Sequence, residues 1–550
     1  MQRMGDHGRA GIRMLIPVLV AVTVLTARAA GPWYVATNGV DTGNDGLSWE
    51  QPFATLSNAL EKAGAVKNET IWVSNGVYGI SATVNNPAAK ACQIRAWSTN
   101  AADTVLLGPG PGSNLRGVSM DGAGSLLEGF TVKNFCVTNM SGAGVSCKSG
   151  VLRNCVIAQN VIDGGSWLAG AGLVLDGGTS DTCVVIGNLI TTNCSSGSSG
   201  AGIYANNSSL IVNCDILCNT NNGKAFQNGG GLYLATNPGW VKGCRIVGNW
   251  AKSFGGGVFA NGTKKYFHDC VVASNYCVAA GGISGGEVIS NCQVYANTSD
   301  YFGARSGQYS GNKSVSILDC VFRNNSATIS NGGIQCDPNE TNAFLYRCEI
   351  VGNRCDSGTL AGISSGSAET VIRNCLVANN EGNVTQARTD RGKGGTGLAF
   401  SATATHVLVE NCTVVSNRLI KTSSNVYYGV GLDATNGLRM VNSILYDNAG
   451  PGQVWSNYYG LTEGVNVYSN SCLAPLPASG AENTDAGPRF AAALSGDFRL
   501  RGGSPCIDKG VDAAWMPDAL DLGGLRRLSG PRVDIGAFEY LARGALISVR

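Results

Sequence analysis

The sequence predicts an all-β fold: one elongated parallel β-helix of about twelve coils, closed by a helical plug at its N-terminal end and by a cap at its C-terminal end. Three observations predict this fold. Of the 550 residues, 77 are glycine, about twice the usual share, and only 14% are charged, which is typical of a turn-rich β protein. A Cys-x-aliphatic-x-x-Asn unit recurs along the chain, and a Gly-aliphatic pair recurs between its copies.

The first 30 residues resemble a signal peptide in their composition. Arg3, Arg9 and Arg13 precede or border an apolar run over 14–25, and small residues then allow cleavage near Ala29-Ala30. A membrane anchor is the alternative, but about 12 apolar residues fall short of the ~20 that a spanning helix needs. We therefore expect a secreted or cell-surface protein with no membrane span in the mature chain.

The repeated unit gives the coils. Its spacing varies from 22 to 37 residues, which suits coils with variable loops. Its first position is held by Gly129, Cys155, Cys183, Cys214, Cys244, Cys270, Cys292, Cys320, Cys348, Cys375, Cys412 and Ser443. The asparagine five residues later is Asn134, Asn160, Asn188, Asn219, Asn249, Asn275, Asn297, Asn325, Asn353, Asn380, Asn417 or Asn448.

Each coil should contain three short strands. Cysteine and the aliphatic residue at +2 share one strand face, whereas the preceding aliphatic residue, usually at −3, has the wrong parity for one straight strand. The residue before the cysteine is usually Asn, Asp or Gly, types that tolerate a left-handed bend. The third strand begins at the Gly-aliphatic pair, for example Gly172-Leu173 or Gly231-Leu232.

Stacked coils place like residues above one another. The cysteine column should fill a narrow core as small apolar side chains, and the asparagine column should form hydrogen bonds along the stack. Stacked cysteines lie ~4.8 Å apart, beyond the usual Cβ separation of a disulfide, so we expect them to stay reduced. Cys472 and Cys506, outside the repeat, are better disulfide candidates.

The N-terminal segment and the repeats resemble known proteins. The stretch "WYVATNGVDTGNDGLSWEQPFATLSNAL" (33–60) is similar to the opening of many secreted bacterial right-handed parallel β-helix proteins, including some polysaccharide lyases, in which a helix plugs the first coil. Phe53, Leu56, Leu60 and Ala63 lie at helical spacing here. The glycine and asparagine repeats resemble those of polymorphic outer-membrane proteins and autotransporter passengers. The resemblance implies a right-handed helix.

The C-terminal stretches "GDFRLRGGSPCIDKG" (496–510) and "PRVDIGAFEY" (531–540) resemble a module that precedes surface-sorting signals in secreted repeat proteins. The ten residues after Tyr540 lack the apolar anchor helix that such signals often contain. The expected organisation is a signal peptide (1–30), an N-terminal cap with the first coils (31–110), the repeats (111–471), a C-terminal cap module (472–540) and a tail (541–550).

The loops between each repeat asparagine and the next Gly-aliphatic strand should form the working face, because solenoids concentrate insertions on one side. Aromatic rings mixed with cations suit a polysaccharide, which offers CH faces and hydroxyls; exposed loop residues without a ligand are the alternative. The net charge of +2 favours no nucleic-acid partner, and we expect a monomer. The candidate binding residues are Trp167, Trp250, Tyr301, Arg305, Tyr309, Tyr427, Tyr428, Trp455 and Tyr458.

A polysaccharide lyase is the alternative function. β-Elimination on a uronate polymer needs a cation or Ca²⁺ to neutralise the carboxylate and a base to take the C5 proton. The loop "ARTDRGKGG" supplies Arg388, Asp390, Arg391 and Lys393 as catalytic candidates. A hydrolase would need two facing carboxylates, and no repeat position supplies such a pair.

One turn has the residue types of a calcium loop. "GVDTGNDG" (39–46) offers the oxygens of Asp41, Asn44 and Asp45. Its spacing is not that of an EF-hand, and an ordinary turn explains the same residues. Calcium is therefore a possible cofactor, and an ordinary turn is the alternative.

Overall fold

The computed structural model describes residues 31–64, 67–224, 226–235, 239–305, 314–358, 360–383, 395–420, 429–434, 437–451, 456–459, 466–478 and 480–542. For residues 302–305 and 459 only the backbone is described. The chain forms a parallel β-helix of about twelve turns, which confirms the predicted fold class. Consecutive coils pair in register, each strand with its equivalent in the next coil.

Four parallel sheets run along the rod, and we number them in the order in which the chain visits them within a coil. Sheet 1 holds the Gly-aliphatic strands, sheet 2 the strands before the cysteine, sheet 3 those after it, and sheet 4 those after the asparagine.

The 14 strands of sheet 1 are Val84–Asn86, Val118–Met120, Val145–Lys148, Leu173–Asp176, Ile203–Asn206, Leu232–Leu234, Val258–Ala260, Ile283–Ser284, Phe302–Arg305, Asn331–Cys336, Ile363–Ser365, Leu398–Phe400, Leu432–Ala434 and Tyr458–Tyr459. The 16 strands of sheet 2 are Trp33–Val35, Thr70–Val73, Gln93–Ala96, Leu126–Glu128, Val151–Arg153, Thr179–Asp181, Leu210–Val212, Gly239–Lys242, Lys265–His268, Val288–Ser290, Ser314–Leu318, Asn342–Tyr346, Glu369–Arg373, His406–Glu410, Leu438–Val441 and Val467–Ser469.

The 15 strands of sheet 3 are Gly76–Gly79, Thr104–Leu107, Thr131–Lys133, Val156–Ala158, Val184–Ile186, Asp215–Leu217, Arg245–Val247, Val271–Ala273, Gln293–Tyr295, Val321–Arg323, Glu349–Val351, Leu376–Ala378, Thr413–Val415, Ile444–Tyr446 and Cys472–Leu473. The 11 strands of sheet 4 are Cys136–Val137, Val161–Ile162, Leu189–Ile190, Thr220–Asn221, Trp250–Ala251, Tyr276–Cys277, Thr298–Ser299, Ser326–Ala327, Arg354–Cys355, Glu381–Gly382 and Arg418–Leu419.

Sheet 4 was not predicted from the sequence. Its strands are only two residues long and follow each repeat asparagine directly, where we expected loops to begin. A two-residue strand carries no periodic signal, so its hydrogen bonds to the neighbouring coils define it.

The N-terminal plug is the helix Leu56–Lys62, which buries Leu56, Ala59 and Leu60 against the first coils. Thr55 caps it by accepting a hydrogen bond from the Asn58 backbone. Phe53 lies before the helix and packs into the same core. Short 3₁₀ turns occur at Ala101–Asp103 and Ala493–Ser495.

The predicted bend between sheets 2 and 3 is present. Asn154, Asn213, Asp269 and the other non-glycine residues at this position have φ between 48° and 58°, in the left-handed region, and Gly129 and Gly243 have φ of 82° and 64°. The predicted alignment of the first copy is wrong by one residue. Thr131 pairs with Val156, which places Gly129 at the bend and Phe130 at the cysteine position.

The same shift places Phe135, not Asn134, in the asparagine column. The Phe135 N–H donates to the Asn160 Oδ1 at 3.1 Å, so the ladder of amides begins at Asn160. From there each Nδ2 donates to the Oδ1 of the next coil, and Asn457 extends the ladder beyond Asn448. These side chains are 0–1% exposed, with Asn457 at 4%.

The ten column cysteines are buried free thiols in the structure. Each Sγ lies close to a backbone carbonyl two residues earlier, as between Cys214 and Val212 at 3.1 Å. Burial raises the pKa of the Cys375 thiol well above its ordinary value. The column packs as small side chains in the narrow core of the rod.

The C-terminal module closes the end of the rod and then packs back along its side. Its antiparallel strands, Phe490–Ala492 and Asp497–Leu500, lie over the outer face of sheet 3. Bend asparagines hold it: the Asn442 side chain donates to the Val511 carbonyl and accepts from the Val511 N–H, both at 2.8 Å. Trp515 reaches sheet 2 and donates to Glu410 at 3.0 Å.

No helix in the described part of the chain has the length and hydropathy of a membrane span.

Candidate functional surface

Many of the predicted site residues lie outside the described residues. They include the signal peptide (1–30), all four catalytic candidates (Arg388, Asp390, Arg391 and Lys393) and four binding candidates (Tyr309, Tyr427, Tyr428 and Trp455). For Arg305 only the backbone is described, in the sheet 1 strand Phe302–Arg305. These residues remain predictions.

Trp250 and Tyr458 are held by contacts with neighbouring residues. Trp250 lies on a sheet 4 strand, not on a loop, with its ring stacked on Tyr276 at 6.4 Å between centroids. Tyr458 packs against the core, and its hydroxyl donates to the Pro475 carbonyl at 3.0 Å. Tyr301 is 40% exposed and lies two residues after the sheet 4 strand Thr298–Ser299. The structure thus disperses these three aromatics instead of grouping them.

Trp167 lies on an additional sheet built from loop insertions. Three successive insertions pair as parallel strands, Gly165–Ala169, Cys194–Ser199 and Gln227–Asn228, which we call the lateral sheet. Trp167 is 75% exposed although it is the largest side chain on this sheet. Its φ is +58°, a conformation that a bulky residue rarely adopts and that often marks a functional position.

The Trp167 ring rests on a glycine. A Cβ at Gly197, in the next coil, would come within 2.2–2.9 Å of the indole, so one ring face lies directly on this glycine. Phe226 occupies the same column one coil further, because Ser198 pairs with Gln227. Phe226 is 69% exposed and also has a positive φ of 52°. Two exposed rings thus flank one glycine along the rod.

The sequence pattern does not identify Phe226. It follows a run of Asn, Gly and Lys, which indicates only a turn, and no periodicity links it to Trp167. Only the pairing of three insertions of different length brings the two rings into one column.

The lateral sheet has its own support. A second small core lies between the lateral sheet and the main solenoid, and it contains Val137, Ile162, Leu168, Ile190 and Cys194. The Ser166 and Ser195 hydroxyls are 2.6 Å apart and join two of its strands. The exposed rings are therefore carried by a packed element instead of by a free loop.

An aromatic row on the outer face of sheet 1 borders the lateral sheet. Tyr204, Tyr233 and Phe259 stack in consecutive coils, with centroids 5.4 and 5.3 Å apart. Gly200, which follows a lateral strand, lies so near that its Cβ would be 3.0 Å from the Tyr233 Cβ. Burial raises the pKa of both phenols, so both hydroxyls are protonated at neutral pH and can donate.

A polar groove continues the same face toward the N-terminal end. It encloses about 610 Å³ and is lined by Thr83, Asn85, Arg116, Ser119, Asp121, Ser146 and Lys148. Arg116 donates to the carbonyls of Ser141 and Gly142 at 2.8 and 3.0 Å, which fixes the position of its guanidinium. The Lys148 ammonium lies 3.7 Å from Asp121.

The groove and the aromatic row share one column of outward positions. This column pairs in register from coil to coil and consists of Ser119, Ser146, Val174, Tyr204 and Tyr233. We call the groove, this row and the two lateral rings the sheet 1 stripe. It combines cations, amides, hydroxyls and aromatic rings in a column on sheet 1 and a second column on the adjoining lateral sheet.

The residues of the predicted calcium loop have structural partners. The Asp41 carboxylate accepts from the backbone of Ala54 and Thr55 and from the Thr55 hydroxyl, at 2.7–3.0 Å, which holds the start of the helix. Asn44 donates to the Pro52 carbonyl, and Asp45 accepts from the Leu47 N–H. These bonds give each residue a role in an ordinary turn. Calcium binding stays a prediction.

The predicted disulfide pair lies together in the structure. Cys472 and Cys506 are both fully buried in one cluster of the C-terminal module. They are free thiols there, and the Cys472 thiol donates to the Ala486 carbonyl at 3.3 Å. The disulfide itself stays a prediction. In the described part of the chain, no group of three or more His, Cys, Asp or Glu side chains is arranged to hold a metal ion.

No family model matches the chain, and no curated protein matches it. Among solved structures, pectate lyase Pel9A aligns with 14% identity over 92% of this chain and 96% of its own, at a TM-score of 0.26. A rhamnogalacturonan lyase aligns with 13% identity over 72% of this chain and 84% of its own, at a TM-score of 0.18. Both superpositions are too poor to support conclusions about a site, so the fold assignment rests on the strand pairing.

Proposed function

We propose that this protein is secreted or displayed on the cell surface and binds an extracellular polysaccharide along the sheet 1 stripe. The observation that supports this best is Trp167. It is a 75% exposed indole at φ +58°, with one ring face on Gly197 and a packed core beneath its strand. Such an arrangement costs conformational energy and presents an aromatic ring to solvent.

The chemistry of the stripe suits a sugar chain. Aromatic rings offer apolar faces to the CH surfaces of pyranose rings, and Tyr204 and Tyr233 add hydroxyl donors. The groove adds the amide of Asn85 and the cations of Arg116 and Lys148 for hydroxyl or carboxylate groups. Because equivalent positions repeat at the strand spacing of ~4.8 Å, an extended polymer along the rod axis could contact several coils at once.

The first test is affinity electrophoresis of the wild type and of Trp167→Ala through gels that contain neutral or acidic polysaccharides. We expect one polysaccharide to retard the wild type. Trp167→Ala should raise the dissociation constant for it by roughly tenfold, the value of about 1.4 kcal/mol from a lost ring contact. Phe226→Ala should have a similar effect. Tyr295→Ala, on the outer face of sheet 3, is the control and should bind as the wild type does.

Two results would contradict the proposal. In the first, no polysaccharide retards the wild type; in the second, Trp167→Ala and Phe226→Ala are retarded as strongly as the wild type. The same incubations, with and without Ca²⁺, report on the lyase alternative through the ultraviolet absorbance of unsaturated sugar ends. If the absorbance rises with the wild type, and Lys393→Ala abolishes this rise without changing binding, the protein acts as a lyase and the binding proposal is replaced.

A further inference from the structure

The outer face of sheet 2 carries an alternating row of charges in four consecutive coils. Arg95, Glu128, Arg153 and Asp181 occupy equivalent outward positions, each paired in register with the next. Arg95 is ion-paired with Glu128, and Arg153 lies 3.8 Å from Glu128 and 3.3 Å from Asp181. We call these four residues the charge row. Their side chains are 25–46% exposed, so a second surface can still reach them.

The charge row is complementary to itself when reversed. In the sequence of coils its signs are plus, minus, plus, minus; read from the other end they are minus, plus, minus, plus. Two flat sheets that face each other through a two-fold axis along the strand direction have antiparallel rod axes. In that arrangement Arg95 of each copy faces Asp181 of the other, and Glu128 of each copy faces Arg153.

The neighbouring outward column fits the same arrangement. Its residues in these coils are Gln93, Leu126, Val151 and Thr179. Under the same two-fold axis, Val151 lies at the centre opposite Leu126, which is only 6% exposed in its own chain, and Gln93 faces Thr179 on either side. An apolar centre flanked by polar groups is the usual composition of a protein interface.

The coils on either side of the charge row are apolar and aromatic. Tyr34 and Trp72 precede it, joined edge to face with Trp49 and Trp97, of which Trp97 is 59% exposed.

Beyond the other end lie Leu210, Val212, Trp240 and Lys242, with Leu210 37% and Trp240 43% exposed. The reversed pairing brings Trp72 to Val212, and Tyr34 to Lys242, a cation that can lie over an aromatic face. Eight coils at ~4.8 Å give a contact about 34 Å long.

We propose that a second copy of this chain docks on the outer face of sheet 2, with antiparallel rods related by a two-fold axis through the centre of the charge row. This replaces the monomer expected from the sequence. It does not depend on the proposed function, because the sheet 1 stripe lies on a different face.

Charge reversal tests the pairing directly by sedimentation velocity over a range of concentrations. The wild type should dimerise. Arg153→Glu places two like-charged contacts in the dimer and should raise its dissociation constant by at least about tenfold. Glu128→Arg should do the same. A one-to-one mixture of these two variants restores opposite charges at all four positions, so it should form a heterodimer as readily as the wild type forms its homodimer.

The mixture distinguishes a loss of pairing from a loss of folding, because a variant that failed to fold would not form the heterodimer. Arg245→Glu is the control: it breaks a similar ion pair between coils, with Asp215 at 3.1 Å, on the outer face of sheet 3, and should leave dimerisation unchanged. The double variant Glu128→Arg/Arg153→Glu should dimerise. A wild type that stays monomeric at every concentration, or single variants that dimerise like the wild type, would overturn the proposal.

Discussion

At the scale of single residues, the two halves of the repeat depend on one another through a steric contact. The glycine of most Gly-aliphatic pairs faces the ladder asparagine of the same coil. A Cβ at Gly144, Gly202 or Gly231 would come within 2.7–2.8 Å of the Nδ2 of that asparagine. The ladder amide cannot move aside because it is bonded in both directions along the stack. Glycine is thus required for its size, since a bulkier residue would displace the ladder.

Gly231→Ala should therefore lower the stability of the rod. The added methyl group meets Asn249 Nδ2 and the Gly257 carbonyl, both at 2.8 Å, and overpacking of this kind costs about 1–3 kcal/mol. The measurement is the midpoint of urea unfolding by circular dichroism. Gly79→Ala is the control, because nothing lies within 4 Å of a Cβ there. Equal midpoints for the two variants would show that the ladder yields at no cost.

The residue scale also shows what a sequence can and cannot predict. The bend and the asparagine column are visible because each coil repeats the same residue type. The first copy was misaligned because Phe130 and Phe135 replace cysteine and asparagine, which leaves Gly129 and Asn134 as a false match at the right spacing. Trp167 was identified as an exposed aromatic, but its column with Phe226 depends on pairing between insertions, which no local pattern encodes.

At the scale of elements, the C-terminal module contains a buried group of charges. The Arg527 guanidinium lies 3.1 Å from Glu539, and Asp521 and Asp534 are buried nearby. One cation faces three carboxylates. Both oxygens of Asp521 and of Asp534 accept short backbone hydrogen bonds, at 2.6–2.7 Å, whereas the backbone bonds to Glu539 are 3.2–3.3 Å. Glu539 is therefore the carboxyl that most readily keeps a proton.

This arrangement predicts a module that is more stable in mild acid. Burial raises the pKa of Glu539 from 4.5 to about 8, so between these values the folded module holds a proton that the unfolded chain releases. The stabilisation is complete below 4.5 and is lost as the pH rises through about 8. Burial raises the pKa of Asp521 and Asp534 as well, which acts in the same direction.

Glu539→Gln should flatten this pH dependence, because the amide does not titrate. The measurement is the protection of residues 497–540 against hydrogen exchange as a function of pH, corrected for the intrinsic exchange rate. Glu61→Gln, an exposed change on the N-terminal helix, should leave the wild-type profile intact. Protection that rises with pH in the wild type would reverse the sign and contradict the assignment of the proton to Glu539.

At the scale of the whole molecule, the rod could be predicted because stacking turns a local repeat into a global fold. Each coil adds the same residues to the same columns, so about twelve copies specify the architecture without any long-range information. The docking of the C-terminal module could not be predicted, since its contacts join residues such as Asn442 and Val511 once only. The surface functions share that difficulty, because outward positions do not need to repeat.

The linear construction also predicts how damage spreads. In Asn297→Ala, the Asn275 N–H loses its acceptor and the Val272 carbonyl loses its donor, and each buried orphan costs about 1–3 kcal/mol. Because each coil contacts only its neighbours, hydrogen exchange should speed up in the strands Val271–Ala273 and Val321–Arg323 and fall back to wild-type rates a few coils away. Asn193→Ala, outside the ladder, should change neither region. Uniform loss of protection from end to end would mean instead that the rod unfolds as a single cooperative unit.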